Sequence, residues 1–337
     1  MPVFSELIGQ NEIKARLKGF CELSSGHAFI FAGPKGIGRH SFAKKFASVL
    51  LCSGPADSRP CGKCRSCICL REGSHPDYKE ILPDSKSGIV KTDTVRKALV
   101  GDIGMMPQLS EMKVYFIDAD SLNEQGQNVI LKTLEEPPEY AVIILSVVSA
   151  SAILQTVRSR AVLLKFGLYS SDEMKAILNS HGYVSDRMTE FYSVLSGGIP
   201  GVALRMIGEE GYGELRREAI DVAEKIPSAA YDKIFLDVLP FFLENKLYVT
   251  DIIRFLTSWF RDAAVMAKDK GSKLIVNTDQ RGKLIEYCER NGNDDIKYMR
   301  CVTICDRCAV DLEFNAAFEI CIGTMLLRIR KELSVNA

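Results

Sequence analysis

The sequence predicts an α/β domain of the P-loop type on a parallel sheet, then a small three-helix unit, then an all-helical C-terminal region. Three observations predict it. The stretch Gly33-Pro34-Lys35-Gly36-Ile37-Gly38-Arg39-His40-Ser41 sits between the apolar run Ala28 to Ala32 and a helix-like run reaching Leu51. Strand-like and helix-like runs alternate from there to Phe166. From Ser170 onward only helical patterns remain.

Taken in order, Ile13, Leu17 and Phe20 recur at helical spacing after a short lead-in. Ala28 to Ala32 reads as a buried strand and Arg39 to Leu51 as the helix after the loop. Asp77 to Leu82 is a second strand. Ile89 to Leu99 carries a helix capped by Thr92 or Asp93, with Val95, Ala98 and Leu99 on one face. Lys113 to Ile117 is a third strand, ending at Asp118. Ser121 to Leu134 is helical and is stopped by Pro137-Pro138. Tyr140 to Val148 and Val162 to Phe166 complete the strands, with a short helix or turn at Ile153 to Arg160 between them. Helices over Ser171 to Ser180, Arg187 to Leu195 and Pro200 to Ile207 form the three-helix unit. Tyr212 to Lys225, Asp237 to Glu244, Tyr248 to Lys268, Lys273 to Arg290, Ile296 to Asn315 and Ala316 to Glu332 continue the helical pattern.

The loop itself poses the chemical question. A strand, a Gly-rich turn and a helix start can cradle phosphates with backbone N–H groups and the positive helix end. The pattern G-x-x-x-x-G-K-[ST] is met at Gly33 and Gly38, with Gly36 between them, and then fails. Arg39 stands where the phosphate lysine belongs, and His40 where the magnesium-holding hydroxyl belongs.

Composition bounds the rest. The chain has 337 residues, 47% hydrophobic and 26% charged, with a formal net charge of zero. This length predicts two or three domains. The neutral balance speaks against a free-standing nucleic-acid binder, so DNA contact would need a local patch or partners. Apolar runs are too short or too interrupted by charge to span a bilayer. The Met1 end lacks a basic segment followed by an apolar one, so a cytoplasmic protein is expected.

Eleven cysteines in such a chain point to metal rather than disulfides. Cys52, Cys61, Cys64 and Cys67 are spaced C-x8-C-x2-C-x2-C, which suits a tetrahedral structural zinc with no open position. The plain alternative is a reduced loop in solvent. Cys21 and Cys69 fall outside the pattern. Cys301, Cys305 and Cys308 lie at helical spacing and read as packed thiols.

Together these residues resemble one family. His27 to Gly33, the cysteine insert, Leu131-Lys132-Thr133-Leu134-Glu135-Glu136-Pro137-Pro138 and Arg158-Ser159-Arg160 are similar to bacterial clamp-loader subunits of DNA polymerase III. The resemblance spans nearly all of the first 205 residues and implies three parts. These are an AAA+-type P-loop domain at 1–167 with a zinc module at 52–67, a three-helix lid at 168–208, and a helical collar at 209–337. It also implies gamma/tau and delta subunits as partners, and a sliding clamp and primed DNA engaged through the complex.

The family contains an ATP-hydrolysing gamma/tau branch and a non-hydrolysing branch. Arg39 and His40 favour the second. So does Ala119, which follows Asp118 where the family's ATPases carry a glutamate. Val147 or Val148 replaces a polar sensor, and Ile199-Pro200-Gly201-Val202 lacks the lid arginine. The residues of the altered nucleotide site are Gly33, Gly36, Gly38, Arg39 and Asp118; whether they still hold ATP stays open. Asp120 is expected to point away from the loop. The resemblance implies that Arg160, ahead of Arg158, acts as an arginine finger in a neighbour's ATP site. The plain alternative is an arginine paired with a carboxylate at a strand start. Two rival functions are an active gamma/tau-type ATPase and an independent nucleic-acid-binding zinc protein.

Overall fold

The computed structural model describes residues 3–23, 26–84, 88–183, 187–313 and 316–334. The chain divides into two compact units. One comprises Met1–Gly182 with Gly198–Val202, and the other Tyr183–Gly197 with Ala203–Ala337.

The first unit starts with α1 (Asn11–Leu23), followed by β1 (Ala28–Ala32), whose five residues are all buried. The loop leads into α2 (Arg39–Leu50). The cysteine segment ends in α3 (Arg65–Arg71), and β2 (Tyr78–Ile81) follows. Next come α4 (Thr92–Val95), a π-helical stretch Arg96–Val100 and α5 (Gly101–Ile103). Lys91 is the residue before this helix and makes no side-chain cap, so Thr92 and Asp93 are its first residues rather than its cap.

The central strand β3 (Lys113–Asp118) gives way to a 3-10 turn, Ala119–Ser121. Helix α6 (Glu124–Glu135) starts later than the sequence pattern suggests. The Asn123 side chain accepts the Gly126 N–H at 2.8 Å and fixes the start there. Strand β4 (Ala141–Val147), α7 (Gln155–Arg158) and β5 (Val162–Lys165) follow, and α8 (Ser171–Ser180) opens with a capping box from Ser170 and Glu173.

The described strands form one five-stranded parallel sheet in the order β2-β3-β4-β1-β5. Strands adjacent in space but not in sequence require helical crossovers, so both faces are covered and the strands read as continuous apolar runs. This is the predicted α/β arrangement on a parallel sheet, and β1 lies inside the sheet between β4 and β5. Its C-terminal end therefore opens the loop at a buried position. Ile30, Tyr115, Ile117, Ile130 and Ile143 share one core on one side of the sheet.

The second unit is helical among its described residues. It contains α9 (Arg187–Leu195), most of α10 (Pro200–Gly208) and α11 (Tyr212–Lys225). Then come α12 (Tyr231–Lys233), a π-helical stretch Ile234–Val238 and α13 (Leu239–Glu244). Helix α14 (Val249–Lys268) buries Trp259 and Phe260 at its centre and packs against α11, α15 (Arg281–Asn291) and α16 (Asp295–Glu313), while α17 (Phe318–Leu333) packs against α16 and α13. Cys301, Cys305 and Cys308 are buried along α16, as packed thiols. The expected helix end at Asn315 lies outside the described residues.

One helix departs from expectation. Lys273 to Gln280 is not an α-helix, and α15 begins only at Arg281. The fully buried Asp262 carboxylate accepts N–H groups from Val276 at 2.9 Å and Asn277 at 2.6 Å, and the Asn277 amide at 2.8 Å. A buried charge saturated by a neighbouring backbone holds that segment open against its helical periodicity. No helix of the described residues is long and apolar enough to cross a membrane.

Candidate functional site

The loop leaves β1 through Gly33, whose N–H donates to Val147 O at 3.0 Å. Gly36 (φ +86°) and Gly38 (φ +105°) are in the left-handed region, which a side chain would strain. The Gly201 N–H donates to Gly36 O at 2.9 Å, and a Cβ on Gly201 would lie 2.8 Å from that oxygen. The segment Ile199-Pro200-Gly201-Val202 thus lies directly on the loop.

Both altered positions of the motif carry their own carboxylate. Arg39, 9% exposed, donates through Nη1 to Asp120 Oδ2 at 3.3 Å. The other oxygen of Asp120 accepts the Val148 N–H at 2.7 Å. The expectation that Asp120 points elsewhere is corrected, because β3 ends at Asp118 and the 3-10 turn swings Asp120 back over the loop. His40 lies 2.8 Å from Glu80 Oε1, which also accepts the Tyr78 hydroxyl at 2.8 Å, and its ring meets Phe116 edge-on. Burial and the Asp120 charge raise the Asp118 carboxyl above its ordinary value, with Arg39 pulling the other way. Ser146 is the register partner of Asp118 on β4, and Val147 is fully buried. Arg205, one turn beyond the missing lid arginine, pairs with Asp251 at 3.3 Å.

Cys52, Cys61, Cys64 and Cys67 come together, with all four sulfurs within 4.8 Å of one another. The Cys52 and Cys64 sulfurs are 3.9 Å apart, close to the edge of about 3.8 Å expected for a tetrahedron with Zn–S bonds of about 2.3 Å. Backbone N–H groups converge on the sulfurs. Gly54 and Cys61 donate to Cys52 Sγ at 3.3 Å, Cys64 to Cys61 Sγ at 3.4 Å, and Cys67 to Cys64 Sγ at 3.4 Å. Gly62 (φ +71°) turns the chain between the first two clustered ligands. Burial pushes the Cys67 thiol up to about 12. Burial opposes ionisation of Cys64 as well, but hydrogen bonds from Ser53 and the Cys67 backbone bring it down to about 5. A divalent cation at the centre is what would let all four ionise together. Four sulfurs at these separations fit zinc and leave no vertex for a substrate.

A polar cluster absent from the sequence reading anchors this module. Ser66, between the last two ligands, donates to Leu51 O at 2.6 Å and lies 2.8 Å from His75 Nε2. Asp77 donates its N–H to His75 Nδ1 at 3.0 Å, while its carboxylate accepts the N–H groups of Gln108, Leu109 and Ser110. His75 is separated from Ser66 by nine positions, and only the packing of α3 against the strand end brings them together.

Arg160 follows α7 in the turn before β5. Its Nη2 donates to Glu135 Oε1 at 2.8 Å, and its Nη1 to Thr156 O at 2.9 Å and Ser159 Oγ at 3.3 Å. Glu135 is the last residue of α6 and the first glutamate of the Leu-Glu-Glu-Pro-Pro stretch. The pairing predicted as the plain alternative is therefore present, on a guanidinium whose side chain remains 37% exposed.

Comparison with known proteins agrees with the resemblance. Residues 10–169 match the family model described as DNA polymerase III, delta subunit. The chain is 33% identical over 202 residues to DNA polymerase III subunit delta' of Pseudomonas aeruginosa, covering 59% of this chain and 61% of that protein. It is also 33% identical over 172 residues to the tau/gamma subunit of Haemophilus influenzae, covering 50% of this chain and 24% of that one. The chain thus spans less than two thirds of the length of these relatives. A DNA polymerase III gamma subunit-related protein of Thermotoga maritima aligns with TM-score 0.48 and 19% identity, over 94% of this chain and 98% of that one. Residues 10–169, which contain the altered loop, the cysteine cluster and Arg160, are the part of the chain that is similar to DNA polymerase III clamp-loader subunits.

Proposed function

We propose that this chain is a non-hydrolysing, delta prime-type subunit of a cytoplasmic clamp loader. It assembles with gamma/tau and delta subunits and helps place a sliding clamp on primed DNA. The observation that carries the reading is the pairing at the loop. The positions for the phosphate lysine and the magnesium hydroxyl hold Arg39 and His40, each engaged with an internal carboxylate. Phosphoryl transfer depends on positioning and charge stabilisation by these same parts, and Ala119 leaves no general base after Asp118.

In this reading Cys52, Cys61, Cys64 and Cys67 hold a structural zinc, which supplies a cross-link in place of a core. Residues 168–208 act as the lid and 209–337 as the collar. Arg160 reaches a neighbouring subunit's ATP and stabilises charge on the transferring phosphoryl group.

A second reading, an active gamma/tau-type ATPase, draws on the equal identity to the tau/gamma relative. One reconstitution separates them. The purified chain alone is expected to release no phosphate from ATP. In an assembly with partner subunits, Arg160→Ala is expected to lower clamp-dependent ATPase by about 10³-fold or more. Turnover by the chain alone would favour the second reading, and unchanged turnover in the Arg160→Ala assembly would remove the finger.

A further inference from the structure

We propose that Asp120 is an internal occupant of the phosphate loop, held on Arg39 and the Val148 N–H, and that its carboxylate keeps MgATP out. This rests on the loop being a degenerate nucleotide site, as proposed above, and adds which residue closes it.

The geometry is specific. A nucleotide in such a loop needs the cationic side chain at position 39 for its phosphates. Asp120 holds that side chain with one carboxylate oxygen and is itself fixed by the Val148 N–H on the other. Arg39 is buried, so its guanidinium has little room to meet a phosphate while keeping this partner. Asp120 is only partly covered, its side chain 30% exposed, so it is the movable member of the pair. Glu80 engages the next residue, His40, at 2.8 Å.

Charge adds to occupancy. Around the loop the cations Lys35 and Arg39 lie within electrostatic reach of the Asp118 carboxylate beside Asp120, and a third carboxylate, Glu80, sits on His40. A polyphosphate brings several negative charges into that surrounding, where they are repelled unless a carboxylate leaves. Removing Asp120 frees the guanidinium and balances the cations against the carboxylates. A working phosphate loop presents an unpaired cation, whereas this one is satisfied from within.

Calorimetric titration of MgATP into the full chain tests the proposal, using wild type, Asp120→Ala and the isosteric Asp120→Asn. Both substitutions remove the charge, and Asp120→Asn keeps an acceptor for Val148. The proposal expects no saturable binding by wild type up to about 1 mM, and affinity at least about tenfold higher in either variant that folds. Arg39→Ala added to Asp120→Asn is expected to abolish the gain. Wild-type binding as tight as the variants', or folded variants that bind no better than wild type, would overturn it. Phosphate release measured in the same samples keeps the two ideas apart. MgATP bound by wild type without turnover removes the Asp120 barrier and leaves the non-hydrolysing reading standing, whereas turnover removes that reading.

Discussion

Arg160 Nη2 and Glu135 Oε1 lie 2.8 Å apart, joining the turn before β5 to the last residue of α6. The same guanidinium is held by Thr156 O of α7 and Ser159 Oγ of the turn after it, while part of it faces solvent. Half-exposed ion pairs of this kind contribute about 0.2–1 kcal/mol. Glu135→Ala is therefore expected to change the unfolding free energy of the isolated chain by less than about 1 kcal/mol in urea denaturation. In the assembly the expectation differs. If the pair aims Arg160 at a neighbour's phosphates, Glu135→Ala lowers turnover with KM for ATP unchanged, and adds nothing to Arg160→Ala. Fully additive losses in that double-mutant cycle would show that Glu135 does not act through Arg160.

The cysteine cluster gives a sharper stability prediction. Residues 52–64 around it have little core of their own, and Arg59 and Ser58 bond only to nearby carbonyls. A zinc bound there would supply folding free energy directly. The full chain is expected to contain one zinc by metal analysis, lost in Cys61→Ser or Cys64→Ser. Gly54→Ala probes the packing of the site without removing a ligand. Its Cβ would lie 3.0 Å from Cys61 Cβ and 3.3 Å from Cys52 Sγ. The variant is expected to bind zinc more weakly than wild type in a chelator competition. Equal retention would show that the sulfurs are free to shift.

These sites differ in how far the sequence alone reveals them. The strands are legible nearly to the residue, because a parallel sheet covered on both faces needs unbroken apolar runs such as Ala28–Ala32 and residues 114–117. The cysteines are legible because metal geometry constrains their spacing. Arg39 and His40 stand out only against the motif they break. Their partners carry no local signal, since Asp120 lies 81 positions from Arg39 and Glu80 lies 40 from His40. Period-2 reasoning past Asp118 misplaced Asp120 because it assumed the strand continued, whereas a 3-10 turn follows. The Lys273 to Arg290 helix failed for a related reason. Periodicity cannot register that a buried carboxylate at Asp262 claims the Val276 and Asn277 N–H groups.

His75 gives the anchor of the cysteine module a defined pH dependence. The Asp77 N–H donates to Nδ1, so the ring proton sits on Nε2 and points to Ser66 Oγ. A second proton on Nδ1 would face that N–H and break the arrangement. Burial lowers the His75 pKa below its ordinary value, against the opposing charge of Asp77. A folded-state pKa below the unfolded one contributes stability above the unfolded value, near pH 6.5, and loses it as pH falls toward the folded value. The zinc-loaded chain is thus expected to lose Tm from pH 7 to pH 5.5. Metal-ligand protonation would contribute to the same fall, so the comparison with His75→Gln at equal zinc content is decisive. That variant starts with lower stability at pH 7, because Nδ1 no longer accepts from Asp77, and it is expected to show a shallower fall. Parallel pH profiles for the two proteins would assign the loss to the cysteines and leave His75 without a titrating role.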